Sequence, residues 1–389
     1  MDVSPERIDA ERLWDDFARL VAVDTSARVG ENRIGPHDDR LASFARDAAE
    51  PLFRDLGADV RIDDLNNVVA RFGDDRGSEL LFVSYPAIHH GNEMADPLQA
   101  RRRNVGGEEL WVGLGASQSK SGLAAVCAAV RLLQGQGVEL GGRVTLAASS
   151  EGGSSHDSAR RLFAGFERLP AGAILTVGTE NRISLGNRGR VDVVVEIRGR
   201  ATHSSAPDLG ENPILLVGEV QARLERMPLD ETRHERLGVR SLVPYKLVCG
   251  PVAPHTIPSS CLLVLDRRLL PDDEPEAVVR EIEDELAGLP VTVRQGATML
   301  PALVEESDTV VVALRRGSEL ALGRPLETFY PPYTFDAGYP CSLGVPTVMF
   351  GPSTSEIAGA GVLGEDFVPA ARVLEAAAVY AGAIAAHRS

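Results

Sequence analysis

Lysine is nearly missing from this chain: Lys120 and Lys246 are the only two among 40 basic residues. Arginine is the default cation, so a lysine marks a position that arginine does not serve. Basic runs are scarce as well. Residues 101–103, three arginines, are the only one, and they read as a solvated loop. With a net charge of −16 the surface repels phosphate, which excludes nucleic acid and an anionic membrane surface as the main partner. The four cysteines (Cys127, Cys249, Cys261, Cys341) show no Cys-x-x-Cys spacing, and the acidic start MDVSPERIDAERLWDDF has no apolar leader core. Reduced thiols and a cytoplasmic location are expected. No stretch approaches the ~18 unbroken apolar residues of a membrane span. Internal repeats and low-complexity segments are absent too.

What remains is ordinary for a globular protein: 44% hydrophobic, 25% charged, and long enough at 389 residues for two domains. Apolar residues at helical spacing predict helices over 11–23 and 40–56, the second closed by Gly57. Strands are expected at 60–62, 68–72, 80–83, 143–148 and 173–177, with helices at 121–133 and 155–166. The pattern changes near Arg190. Strands at 191–197, 242–248 and 261–265, with helices at 212–226 and 274–289, make a small α+β unit. After Gln295 the alternation returns, with helix 308–322, strand 347–350 and helix 370–386. The predicted fold is α/β, a mixed sheet with helices on both faces. Its domain comprises residues 1–189 and 296–389, interrupted by an inserted α+β domain at 190–295.

The organising stretch is WVGLGASQSKSGLAAVCAAV, residues 111–130. Gly113, Gly115 and Ala116 let the backbone approach a neighbour closely, and a buried alanine-rich helix follows. With Lys120 and Gly122 they resemble the signature Gly-Arg-Gly-Ala-x-Asp-Met-Lys-Gly-Gly of the zinc aminoacylase/carboxypeptidase family. That family includes glutamate carboxypeptidase, acetylornithine deacetylase and succinyl-diaminopimelate desuccinylase. The resemblance covers nearly the whole chain. It implies a catalytic domain split by a lid domain that also dimerises, a small amino-acid-derived substrate in the cleft, and a two-zinc centre.

The metal positions depart from that pattern. The bridging Asp falls on Gln118, whose neutral amide brings no charge to hold two cations. The first ligand His falls on Tyr85 and its acidic supporter on Ala87. In Ser149-Ser150-Glu151-Gly152 the family's general base falls on Ser150, which cannot deprotonate water unaided, and a ligand falls on Glu151. Thr179 or Glu180 takes a further ligand place. The last, a His, falls near Val362, and no histidine occurs between His255 and His387. His89 and His90 read either as a base or substitute ligand entering from the loop, or as plain loop residues. His156 and Asp157 stand a helical turn past Glu151, where ordinary helix starts also carry Asp. The residues therefore predict no two-metal cluster and no cofactor. The alternative is one zinc ion on His89, Glu151 and Glu180.

The substrate-handling motifs are kept. Residues 199–207, GRATHSSAP, resemble Gly-x-x-x-His-Ser-Ser-x-Pro, whose lid His reaches the partner's site and binds the reacting carbonyl oxygen. That implies His203 as an oxyanion donor. Asp266-Arg267-Arg268 resembles the family's Asp-x-Arg and implies Arg268 as a clamp on a substrate carboxylate, with a surface salt bridge as the plain alternative. His255 stands where the family has a lid Asn. Two loops, around Asp336 and around Gly351 and Ser353, match family loops whose backbone suits a carboxylate or amide. The catalytic candidates are thus His203, Glu151, His89, Lys120 and Gln118. The substrate-binding candidates are Arg268, Tyr85, Glu180, His255, Asp336, Gly351 and Ser353. Cys341 reads as a small buried hydrophobe rather than a nucleophile. Three functions fit: a metal-independent enzyme of acyl transfer, amide formation or cyclisation; a hydrolase with a rearranged metal site; or a non-catalytic binding protein. A homodimer through residues 190–295 is expected.

Overall fold

In the computed structural model, which describes residues 1–28, 34–73, 79–88, 94–150, 152, 155–353 and 365–387, the chain divides into two units. The first comprises Met1–Gly186, Ala302–Tyr330 and Asp336–Ser389, and the second Asn187–Pro301 with Pro331–Phe335. The first is a mixed α/β layer structure, as its alternating strands and helices dictate. Its eight-stranded sheet runs Asp59–Ile62, Val68–Arg71, Val144–Ala148, Leu80–Ser84, Gly172–Leu175, Thr347–Met349, Ile183–Ser184, Thr328–Phe329. The four strands from Val144–Ala148 to Thr347–Met349 are parallel. Leu80–Ser84 and Val144–Ala148 are buried at every position, as parallel strands covered on both faces are. Helix Ala370–Ala386 packs on helices Thr309–Leu322 and Lys120–Gly135. Gly317 and Gly382 meet at one crossing: a Cβ on Gly317 would lie 2.5 Å from the Ala383 nitrogen. Only glycine lets two helix backbones come that near. No helix among the described residues is long and apolar enough to cross a membrane.

The second unit is a four-stranded antiparallel sheet in the order Ser241–Gly250, Ser260–Leu269, Gly189–Arg198, Val291–Met299. Helices Pro213–Arg226 and Pro275–Glu285 cover one face, burying Val217, Val220 and Ile282 with Val191, Val193 and Val195. Asn212 caps the first helix by accepting the Ile214 N–H at 3.1 Å.

Several expectations need correction. The strand Val291–Met299 pairs along its length, out to Arg190↔Met299, so the second unit runs six residues past 295 to Pro301. Residues 101–103 are not a loop but part of strand Arg101–Val105, paired with Glu108–Val112. Gly106 and Gly107, both at positive φ, turn that hairpin. The arginines are paired as well as exposed: Arg102 grips Glu11 with two bonds of 2.8 Å, and Arg101 and Arg103 both bind Glu365. Residues 40–56 do not wind as one α-helix. Pro51 has no N–H to continue the ladder, and Phe44–Ala49 before it is a π-helix. Cys249 and Cys261 are not free thiols. They stand directly opposite in neighbouring antiparallel strands and form a disulfide.

Candidate active site

Parallel strands deliver their following loops to one edge of the sheet, the usual place for ligands in open α/β folds. Here those loops are knitted together by backbone groups. The signature loop is held by Asp366, which accepts the N–H groups of Gly115 at 2.6 Å and Ser117 at 2.7 Å. Ser353 and Ser121 donate to the Ala116 carbonyl at 3.0 and 2.7 Å. The Gly178 N–H reaches the Gln118 carbonyl at 3.2 Å, and the Glu180 N–H reaches the Ser353 carbonyl at 2.9 Å. Gln118, Glu180, Gly351 and Ser353 are thereby brought together from three separate loops. Thr179 is buried, and its hydroxyl accepts the Gly351 N–H at 3.0 Å. That leaves Glu180, half-buried and 3.8 Å from Arg182, as the side chain with a free edge. The Gln118 side chain makes no hydrogen bond to a described residue.

A second group adjoins this one. The Ser119 hydroxyl donates to the Tyr85 carbonyl. Tyr85 follows the strand Leu80–Ser84, and Gly152 lies flat on its ring; a Cβ at Gly152 would overlap the ring carbons. Burial, and then the nearby charge of Asp336, push the Tyr85 phenol well above its ordinary range, so it stays protonated. Asp336 is not an open substrate contact as expected. Its carboxylate is buried and stands 3.2 Å from His156 Nδ1, each side chain 1% exposed. His156, weighed from sequence as a site residue or as part of a helix start, is thus buried against Asp336. Ser150, at the family's base position, is buried with its hydroxyl 2.7 Å from that of Ser158.

Lys120, a catalytic candidate from the sequence, is placed in the interior. It is 1% exposed, and its ammonium donates to the Val23 carbonyl at 2.9 Å over the Phe44 ring. Burial lowers its pKa to about 7, against the opposing pull of Asp366 and Asp24. Because the folded value lies below the free value of 10.5, the unfolded chain binds more protons between those two pH values, and stability rises with pH across that window. One proton is worth at most about 1.4 kcal/mol per pH unit. Lys120→Met should flatten the rise of the urea midpoint between neutral and alkaline pH; an unchanged slope would contradict this. Burial pushes the Cys341 thiol up to about 11, which works against its thiolate form.

In the second unit, His203 ends the short strand Thr202–His203, exposed. The Ser205 N–H donates to its Nδ1 at 3.2 Å, and the Ser205 hydroxyl lies 2.8 Å from the same nitrogen. An accepting Nδ1 places the ring proton on Nε2. His255, at φ 53°, holds its ring 6.1 Å from that of His203 and accepts the Ser204 N–H at 2.7 Å. Arg268 stands elsewhere in this unit. It grips Asp266 with Nε at 2.7 Å and Nη2 at 2.9 Å, and Nη1 donates to Thr334 at 2.8 Å. The plain salt bridge is therefore formed.

His89, His90, Glu151 and Val362 lie outside the described residues. Among the described residues no three His, Cys, Asp or Glu side chains stand together to hold an ion. A protonated phenol at Tyr85 and a neutral amide at Gln118 do not make a two-zinc donor set.

Comparison with known proteins bears on the cofactor. A family described as "Peptidase dimerisation domain" matches residues 185–292. A putative succinyl-diaminopimelate desuccinylase of Mycobacterium tuberculosis is 29% identical over 48% of this chain and 51% of its own length, so the match spans about half of that protein. A succinyl-diaminopimelate desuccinylase of Pseudomonas syringae is 27% identical over 77% of this chain and 80% of its own. The fold matches an M20 family metallo-carboxypeptidase of Sulfolobus solfataricus with a TM-score of 0.76, 16% identity, and coverage of 96% and 98%. These matches overturn the expectation of no cofactor, since they lead to metallopeptidases that use zinc. The signature loop, the matched dimerisation domain and the shared fold agree in making the chain similar to the zinc aminoacylase/carboxypeptidase family, the M20 peptidases.

Proposed function

We propose that the protein is an amidohydrolase that cleaves an amide or acyl bond of a small amino-acid-derived substrate, working as a homodimer through its inserted domain. One observation carries the reading: His203 is held with Nδ1 accepting from Ser205, which leaves Nε2–H as a donor for a carbonyl oxygen that gains charge. Arg268 uses three of its five N–H groups on Asp266 and Thr334. One N–H remains on each Nη, a second fork for a substrate carboxylate. Glu151, His89, Lys120 and Gln118 are the remaining catalytic candidates, and Tyr85, Glu180, His255, Asp336, Gly351 and Ser353 the remaining contacts for substrate. Acyl transfer to an amine is the second reading. It is favoured by Ser150, whose hydroxyl is tied to Ser158 and does not take a proton from water.

The test is a panel of N-acetyl and N-succinyl amino acids and dipeptides, assayed with added zinc and with chelator. Release of free amine from one of them is expected. No release from any, with zinc present, sinks the reading. A hydroxamate formed faster than acid in the presence of hydroxylamine favours transfer over hydrolysis. Sedimentation should give a dimer at micromolar concentration; a monomer contradicts the proposed assembly.

A further inference from the structure

The disulfide between Cys249 and Cys261 closes a short loop, its two ends separated by 12 residues of chain. Both ends start from the sheet of the second unit, in strands Ser241–Gly250 and Ser260–Leu269. The loop between them lies against the segment that carries His203. The Gly199 N–H donates to the Ser259 carbonyl at 2.8 Å, and the Ser204 N–H to the His255 carbonyl at 2.7 Å. Between these two bonds Thr202–His203 pairs antiparallel with Thr256–Ile257, His203 opposite Thr256. Residues 199–204 are therefore laid along the loop at three places, and the His203 and His255 rings stand 6.1 Å apart.

The bridge sits where this loop leaves the sheet. Ser241–Gly250 is the outer strand, and the helices of the unit pack chiefly on the other three. The side chains of the outer strand that reach the hydrophobic core are Leu242 and Cys249. Past Cys249 the residues from Pro251 to His255 are exposed. His255 is held at φ 53°, a left-handed backbone that costs a non-glycine residue energy and persists where its surroundings impose it. A covalent bond across the base of a loop removes conformations the loop would otherwise visit. Without that bond the loop is tied by hydrogen bonds alone, and the ladder that aims His203 loosens. Cys261 is fully buried and Cys249 half-buried beside the exposed run, so Cys249 carries the sulfur that an attacking thiolate meets first.

We propose that this disulfide is a redox switch on the active site: oxidised, it fixes the loop that aims His203, and reduced by a dithiol, it releases that donor. The assignment rests on the amide-cleaving reading, in which His203 is the oxyanion donor. One thiolate of the dithiol attacks the Cys249 sulfur, the S–S bond breaks, and Cys261 leaves as a thiolate. The second thiolate attacks the reductant's own sulfur in the mixed disulfide and frees Cys249. Two electrons and two protons pass to the protein, which ends with two thiols, and the reductant ends as a cyclic disulfide.

The test applies dithiothreitol to the full chain. The double variant Cys249→Ser, Cys261→Ser is the control for any capture of metal by the reagent. Denatured without reductant, the wild-type protein should offer a maleimide the two thiols of Cys127 and Cys341, and four after reduction. Four from the start overturns the switch. Reduction should lower kcat, by up to the about 10²–10³-fold loss of an oxyanion donor, and leave KM little changed. The double variant should match the reduced wild type and not respond to the reagent; an equal fall in both overturns the proposal. In His203→Ala, reduction should cost no further kcat, whereas a merely structural bond would cost the same with or without that histidine. Unchanged kcat on reduction of the wild type overturns the switch as well. A second measurement does not need turnover: hydrogen exchange read by mass spectrometry should quicken over residues 199–204 on reduction and stay slow over Gly189–Arg198. If no substrate releases amine, the amide reading has failed and the exchange decides the switch. Faster exchange then upholds redox control of the loop, and unchanged exchange overturns it.

Discussion

Replacing His203 by alanine should lower kcat about 10²–10³-fold, the usual loss for one oxyanion donor, and leave KM nearly unchanged. The split between the two constants follows from where the charge is. A neutral carbonyl in the bound substrate gains little from an Nε2–H donor, whereas the tetrahedral oxyanion gains a full charge-assisted hydrogen bond. The donor needs the right tautomer, and the Ser205 N–H at 3.2 Å supplies it. His203→Gln keeps an N–H at similar reach and should recover part of the loss. The family resemblance places this histidine in the partner's site, so a mixing experiment follows. His203→Ala and Glu151→Ala chains should each be nearly inactive alone. When exchanged into heterodimers, one composite site should be intact and part of the activity should return. Demonstrated exchange without recovered activity would refute the shared site, and a fully active His203→Ala would refute the oxyanion role.

Gly122→Ala should cost about 3 kcal/mol or more, the upper range for overpacking a rigid interior. The added methyl would fall well inside the contact distance of the Thr176 carbonyl oxygen. That oxygen belongs to the backbone just past the strand Gly172–Leu175, and no side-chain rotation relieves the overlap. Gly135, in the last turn of the same helix, is the control. A Cβ there meets nothing within 4 Å, and Gly135→Ala should be neutral or stabilising by up to about 1 kcal/mol. Urea denaturation of the two variants reads the difference. Equal midpoints would mean that the helix and strand separate more easily than their contact suggests.

Much of the architecture was legible because it is periodic. The buried strands 80–84 and 144–148, the alanine-rich helix after the signature loop, and the alternating strand at 191–197 announce themselves within a few residues. What escaped is what depends on pairing across the chain. Arg101 and Arg103 looked solvated because their partner is Glu365. Cys249 and Cys261 looked free because only strand register sets them opposite one another. His156 looked like a helix start because Asp336 is far away in sequence. Lys120 was legible as a position with special demands, but not its burial beside Phe44 with the Val23 carbonyl as partner. Tyr85 and Gln118 differ from the ligand types of the family this chain resembles, yet two such differences were too narrow a basis for excluding a cofactor.

The strand Thr347–Met349 lies between Gly172–Leu175 and Ile183–Ser184 in the main sheet. During synthesis those two neighbours leave the ribosome long before the strand that separates them. The strands of the inserted unit, by contrast, all pair within Asn187–Pro301 and can be completed in the interval. The nascent chain therefore carries a finished β-sheet domain beside a half-built one whose Gly172–Leu175 edge is bare, the kind of edge that other chains recruit. A chain stalled or truncated ahead of Thr347 should be the form of this protein that a chaperone binds or that aggregates.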